Sequence, residues 1–350
     1  MPDRVYLDWN ATAPLRPEAR AAMLEAMDLL GNPSSVHAEG RAAKALVERA
    51  RLQVADLVGC DRDAVAFTSG ATEAAMLALK DMACASAAVE HPCVTAWTDD
   101  AVLRVDRDGR IEDVGGASTR QVANSETGVL QSANPPVVFE DAVQAVGKTP
   151  YRFADRRAAS AAVSAHKLGG PKGVGALILR PGHDIEMKWP GGGQEQGRRS
   201  GTENVVGIAG FGAAAAAAQR DLEAGVWEGV ARLRDQLEDR LGAVAPELIL
   251  FGERAPRLPN TSSFAIPGWK GETQVMLIDL AGFAVSAGSA CSSGKVKTSR
   301  VLLAMGFDEE TAGSALRVSI GPTTTEAEIT AFADAWSDAY RRWRARKSAA

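Results

Sequence analysis

The chain reads as an α/β protein: a large domain with a mainly parallel central sheet flanked by helices, plus a smaller α+β domain built from the chain ends. Three observations carry that expectation. Strand-like apolar runs alternate with helical patterns, and AVAFTSGATEAAMLALK passes from a β-rich run through Ser69-Gly70 straight into a helix. At 350 residues the chain exceeds what one typical core supports, so one large and one smaller domain are expected. Its 46% apolar and 24% charged residues are those of a globular chain with a sizeable core.

In order, VYLDWNATAP is a short extended leading segment that stops at Pro14. RPEARAAMLEAMDLL reads as a helix with Pro17 near its first turn and Gly31 at its end. GNPSSVHAEG is a polar loop, and RAAKALVERARLQVADLVG a long amphipathic helix closed by Gly59. At the following strand-loop-helix unit, free backbone N–H groups with the Ser69 and Thr72 hydroxyls make a phosphate cradle; an N-cap and turn without a ligand gives the same pattern. Residues 84 to 160 alternate short apolar runs with turn signals, the rhythm of short parallel strands, although 100 to 120 is too polar to assign. VSAHKLGGPKGVGALILR reads as a hairpin that carries a His-Lys pair into a tight glycine and proline turn. PGGGQEQGRRSGTEN is a long glycine and arginine loop. Two helices follow, and the alanine run in the first has the propensity of a packed helix, not a linker. A boundary near residue 225 gives a large domain over 15–225. The small domain is 1–14 with 226–350, containing strands LILFG, TSSFAI and ALRVSI and helices near 271–281, 297–305 and 325–343.

Charge and cysteine usage exclude several function classes. A net charge of -5 argues against a general nucleic-acid binder. The basic run RRWRARK reads as a solvated helix end that suits its own macrodipole. Cys60, Cys84, Cys93 and Cys291 are too scattered for a disulfide framework or a structural zinc site, so no metal is expected. The first residues lack an apolar signal region, and no run approaches the roughly 20 apolar residues of a membrane span. The expectation is a cytoplasmic protein with no membrane partner.

Chemistry emerges when stretches are combined. A lysine beside a turn is usually a surface group, but Lys167 at the mouth of a hairpin is also placed to act as a nucleophilic amine. FEDAVQAVG sets Asp141 at the end of an apolar strand, where an Asp often serves only as a helix N-cap, with Gln144 three residues on. The interval from Asp141 to Lys167 accommodates one crossover and the next strand. A carboxylate to keep a pyridine nitrogen protonated and a lysine to hold an aldehyde are what a pyridoxal phosphate site needs.

TSGATE, EHPCV, SAHKLGGPKGVGAL, GGGQEQGRRSGT and SAGSACSSG, in this order over nearly the whole chain, resemble the cysteine desulfurases of the NifS and IscS type. These are members of the class V aminotransferase superfamily, with the PLP-dependent fold type I. The resemblance implies that Lys167 carries the pyridoxal 5'-phosphate and moves protons, while Lys172 in the GPKG turn is structural. It implies that Asp141 pairs with the ring nitrogen, Gln144 donates to the phenolic oxygen, and His91 stacks on the ring as an acid/base group. Thr72, Ser164 and His166, with the backbone of Ala71, would hold the phosphate. Thr202 would reach the phosphate of a neighbouring subunit, making a homodimer with shared sites. Arg317 would clamp the substrate carboxylate, with Asn124 as a helper at substrate or cofactor.

Cys291 carries the family's decisive step. Flanked by glycine and serine, it sits in a loop pattern rather than a core strand, whereas Cys60, Cys84 and Cys93 read as small hydrophobes. By resemblance its thiolate takes the sulfur of L-cysteine as a persulfide, leaving L-alanine, and passes it to an acceptor such as an iron-sulfur scaffold or a sulfurtransferase. The chain departs from the family pattern in a shorter stretch between Lys80 and Gln121 and in ANSETG around Asn124. The alternatives are a selenocysteine lyase, another class V aminotransferase, or a catalytically idle scaffold relative. An aminotransferase has no need of Cys291.

Overall fold

The computed structural model describes residues 4–99, 103–112, 114–186, 188, 190–288 and 298–349. From the N-terminus, β1 (Val5–Tyr6) precedes α1 (Pro17–Met27) and α2 (Ala38–Val58), then β2 (Val65–Thr68), α3 (Ala71–Leu79) and the single turn α4 (Pro92–Thr95). Strands β3 (Thr119–Gln121), β4 (Val137–Asp141), β5 (Ala158–Ser164) and β6 (Gly175–Leu179) follow, and then α5 (Val205–Glu223) and α6 (Val226–Val244). The last third holds β7 (Ile249–Leu250), β8 (Thr261–Ala265), α7 (Gly271–Leu280), β9 (Phe283–Ala284) and β10 (Ser286–Ala287). It closes with α8 (Arg300–Ala304), α9 (Glu309–Gly313), β11 (Ala315–Ser319) and α10 (Glu326–Ala349).

The expected α/β architecture is present. The central sheet has the order β2-β6-β5-β4-β3, with β3, β4 and β5 parallel and β6 reversed against both neighbours. Its strands are buried on both faces, and the period of two sorts their side chains. Ala161, Val163, Ala176 and Ile178 pack with residues of α2 and α5, while Phe139, Ala162, Leu177 and Leu179 pack under α3. The small side chains of AASAAVS in β5 let both helical layers approach closely. A second sheet, β10-β11-β8-β7, is antiparallel; Phe264, Leu316 and Val318 pack with α10 residues Phe332 and Trp336. The leading segment joins this region through the parallel pair β1-β9.

Several local expectations shift. α2 begins earlier than the apolar periodicity predicts, because the imidazole of His37 caps it by accepting the Gly40 N–H at 3.3 Å. α1 ends at Met27, before Gly31. The parallel β4-to-β5 crossover has no α-helix, only turns and a short 3-10 turn at Phe153–Asp155. Asp141 accordingly caps no helix; its Oδ1 accepts the Val143 N–H at 3.0 Å in an Asx turn. No helix among the described residues is long and apolar enough to cross a membrane.

Candidate active site

The ends of β4 and β5, the middle of β11, the N-terminus of α3 and the leading segment converge on a cavity of about 650 Å³. Among the residues lining it are Ala71, Thr72, His91, Asp141, Gln144, Ser164, His166, Lys167 and Arg317, drawn from positions 71 to 317 of the sequence. Its volume falls within the usual range for small-molecule sites. Two of the expected residues are not on its wall: Asn124 and Thr202. Asn124 is buried just behind it, with Nδ2 donating to Val89 O at 3.1 Å and Oδ1 accepting the N–H groups of Glu126 and Thr127. Thr202 is exposed at the end of the long glycine and arginine loop. That loop is pinned beneath β2, where buried Glu195 receives Arg51 NH1 at 2.6 Å and the Phe67 N–H at 2.8 Å. Cys291 lies outside the described residues.

Lys167 ends the 3-10 turn that β5 feeds. Its Nζ donates to the carbonyls of Asn10 at 2.6 Å and Ala11 at 2.9 Å. Asp141 and Ser164 come from neighbouring parallel strands, so the sheet itself sets the carboxylate beside the lysine turn. Burial pushes the Asp141 carboxyl upward, while the charges of His91 and Lys167 and the Val143 N–H draw it back. His91 precedes the α4 turn, and its Nδ1 accepts the Cys93 N–H at 3.2 Å. Burial, opposed by Asp141, lowers its pKa. His166 is lowered to about 4, first by burial and then by the charges of Lys167, Lys172 and Lys148, so it is neutral at pH 7. Cys93 is more than a space-filling group: it lines the cavity, with Sγ 2.9 Å from His91 Nδ1, and burial raises its pKa so that it stays a thiol.

Arg317 lies in β11 between Ser286 and Ser263, 5% exposed. NH2 donates to Asp8 Oδ1 at 2.7 Å and NH1 to Ser125 O at 3.0 Å. Its Nε is buried without a partner among the described residues. Asp8 also accepts Ser286 Oγ at 2.8 Å, tying Arg317 to β10.

Four further residues escaped the sequence reading. Asn10, 1% exposed, receives Lys167 and Gln144 on its carbonyl and Lys148 and Asn260 on its side-chain oxygen. Lys148, Asp8 and Glu90 also belong to the setting of the site. DWNATAP offered a faint signal, since an Asp and an Asn stand there between apolar residues. Nothing in VQAVGK distinguished Lys148 from a surface lysine.

The cavity suits pyridoxal phosphate. Thr72, Ser164 and His166 gather at the start of α3, where free N–H groups favour an anion, and Asp141 is the only acid among the described lining residues. The amine of Lys167 and the carboxylate of Asp141 are the donor and acceptor that an aldehyde and a protonated ring nitrogen require. The family model for aminotransferase class-V matches residues 5–98 and 124–332. The chain belongs to the class-V aminotransferase family. Members of this family depend on pyridoxal phosphate. Within the family, a cysteine desulfurase of Cereibacter sphaeroides is 40% identical over 365 residues, covering 93% of each chain. The cysteine desulfurase NifS of Azotobacter vinelandii is 37% identical, covering 93% of this chain and 90% of its own. The X-ray structure of a NifS-like protein from Rickettsia africae superposes with a TM-score of 0.87 at 30% identity, over 97% of this chain and 99% of that one. The family match passes over residues 99–123, most of them in the stretch between Lys80 and Gln121 where the family pattern led one to expect a shortening.

Proposed function

We propose that this protein is a pyridoxal phosphate-dependent cysteine desulfurase that removes the sulfur of L-cysteine, releases L-alanine and passes the sulfur to an acceptor by way of Cys291. The convergence of Lys167, Asp141, His91 and Arg317 on one cavity carries the reading. Bound there, the cofactor supplies an electron sink for the substrate carbons. Every other part of the reaction falls to side chains. Arg317, braced by Asp8 on NH2 and by the Ser125 carbonyl on NH1, binds the substrate carboxylate in the cavity. Lys167 and His91 hold and move protons at the substrate Cα and Cβ. The Cys291 thiolate attacks the substrate sulfur: an S–S bond forms, the C–S bond breaks, its electrons stay with the carbon fragment, and a proton on Cβ completes alanine. Thr72, Ser164, neutral His166 and the Ala71 N–H take the phosphate, while Gln144 donates to the phenolic oxygen.

Residues 15–225 form the cofactor domain in this reading, and 1–14 with 226–350 form the small domain that carries the Cys291 loop. Thr202, exposed on its loop, reaches the phosphate site of a second copy in a homodimer, and Asn124 acts from behind the wall by holding its loop. The protein works in the cytoplasm, and the NifS name of its relatives favours an acceptor on the route to iron-sulfur clusters. Two variants test the proposal. Purified protein is expected to show a visible absorption band that disappears in Lys167→Ala. Cys291→Ser should keep the band and lose sulfide release from cysteine with reductant; normal release from that variant rules out the mechanism.

A further inference from the structure

Behind the cavity wall, Lys148 is used by none of the chemistry above. It is 3% exposed, and its Nζ donates to two amide oxygens, Gln144 Oε1 at 2.6 Å and Asn10 Oδ1 at 3.0 Å. Burial, followed by the charges of Lys167 and Arg317, holds its amine well below the ordinary lysine range. At the other end of Gln144, Nε2 donates to the Asn10 carbonyl at 3.0 Å. A flipped amide would set Oε1 against that carbonyl, which has no hydrogen to give, and would lose the Lys148 bond. The two contacts therefore fix the amide with Oε1 turned back and Nε2 forward. Gln144 lines the cavity, and its second Nε2 hydrogen is left for an acceptor there.

We propose that Lys148 is a positioning residue that orients the Gln144 amide from behind, so that an N–H rather than a carbonyl meets an anionic oxygen of the cofactor. This rests on the cofactor reading above, in which Gln144 donates to the phenolic oxygen. The sequence interval of four residues from Gln144 to Lys148 and the shared partner Asn10 make the three a unit.

Two measurements separate this role from simple packing. In the full chain labelled with 15N-glutamine, the Gln144 side-chain NH2 should exchange slowly with solvent and quicken about tenfold in Lys148→Met; fast exchange in the unaltered chain overturns the proposal without any variant. In the holoenzyme, the pH midpoint of the visible band should rise by about one unit in Lys148→Met, because losing an N–H donor disfavours the anionic oxygen. Gln144→Ala should give a similar rise, and adding Lys148→Met to it should give no more. An unmoved midpoint, or an equal further shift in the Gln144→Ala background, overturns the proposal. Lys148→Leu replaces Lys148→Met if the latter fails to fold. A chain with no visible band would sink the cofactor reading, while the exchange measurement would still decide the orientation of Gln144.

Discussion

Glu90 stands directly before His91, 1% exposed, with its Oε1 receiving Thr119 Oγ1 at 3.2 Å. Burial first, and the negative charge of Asp141 second, push its carboxyl up to about 8. The folded protein thus keeps a proton at neutral pH that the unfolded chain gives up near 4.5. The unfolded state binds fewer protons across that window, so stability falls as pH rises from about 4.5 through about 8. Glu90→Gln removes the titration. Urea unfolding should show the variant gaining on the native chain by a few kcal/mol between pH 5 and pH 8, and an equal gap at both pH values would refute the assignment. At this scale the sequence was readable where chemistry and local pattern coincide. Lys167 and Asp141 each sit at a strand end that the apolar runs announce. Asn10 and Lys148 were hidden because their meaning lies in partners more than a hundred residues away.

Between elements, two features set the cofactor wall. β3 and β4 pair Arg120 with Glu140, both buried, and Arg156 and Tyr151 also donate to Glu140. Alternation along β4 turns Glu140 to this network and Asp141 to the cavity. Glu140→Ala strands two arginines and should cost about 3–5 kcal/mol in chemical denaturation. Gly175 in β6 lies against the loop before α3. A Cβ there would meet Val163 O at 2.6 Å and Gly70 Cα at 2.8 Å. Gly175→Ala should therefore push the α3 N-terminus off the sheet and lower pyridoxal phosphate affinity at least about tenfold, read by titrating cofactor into the apo chain. Affinity equal to that of the native chain would show that the loop has slack. The motif TSGATE makes the strand, turn and helix legible. The packing of Gly70 on Gly175 is not, since Gly70 follows β2 and Gly175 opens β6, strands paired across more than a hundred residues.

Over the whole molecule, Asn10 is where the leading segment, the central sheet and the second sheet meet. Its side-chain nitrogen reaches Thr261 Oγ1 at 2.8 Å, its N–H reaches Ser319 Oγ at 3.0 Å, and Asn260 and Lys148 both donate to its Oδ1. Truncation would orphan several buried donors at once. Asn10→Ala should lower unfolding stability by roughly 2–4 kcal/mol and weaken cysteine binding more than it changes the cofactor band; an unchanged urea midpoint would contradict the hub role.

The sequence by itself determined the alternation of strands and helices, because periodicity, caps and short motifs act over a few residues, and its resemblance to a known family pointed to nine of the residues that line the cavity. It also marked Cys291 as the thiol that differs from the rest. Only the tertiary structure decided that Asn124 lies behind the wall, that Arg317 is braced by Asp8 from the opposite end of the chain, and that Lys148 backs Gln144. Those facts depend on which distant segments share a buried hydrogen bond. Strand order and packing fix that choice, and local pattern carries no trace of it.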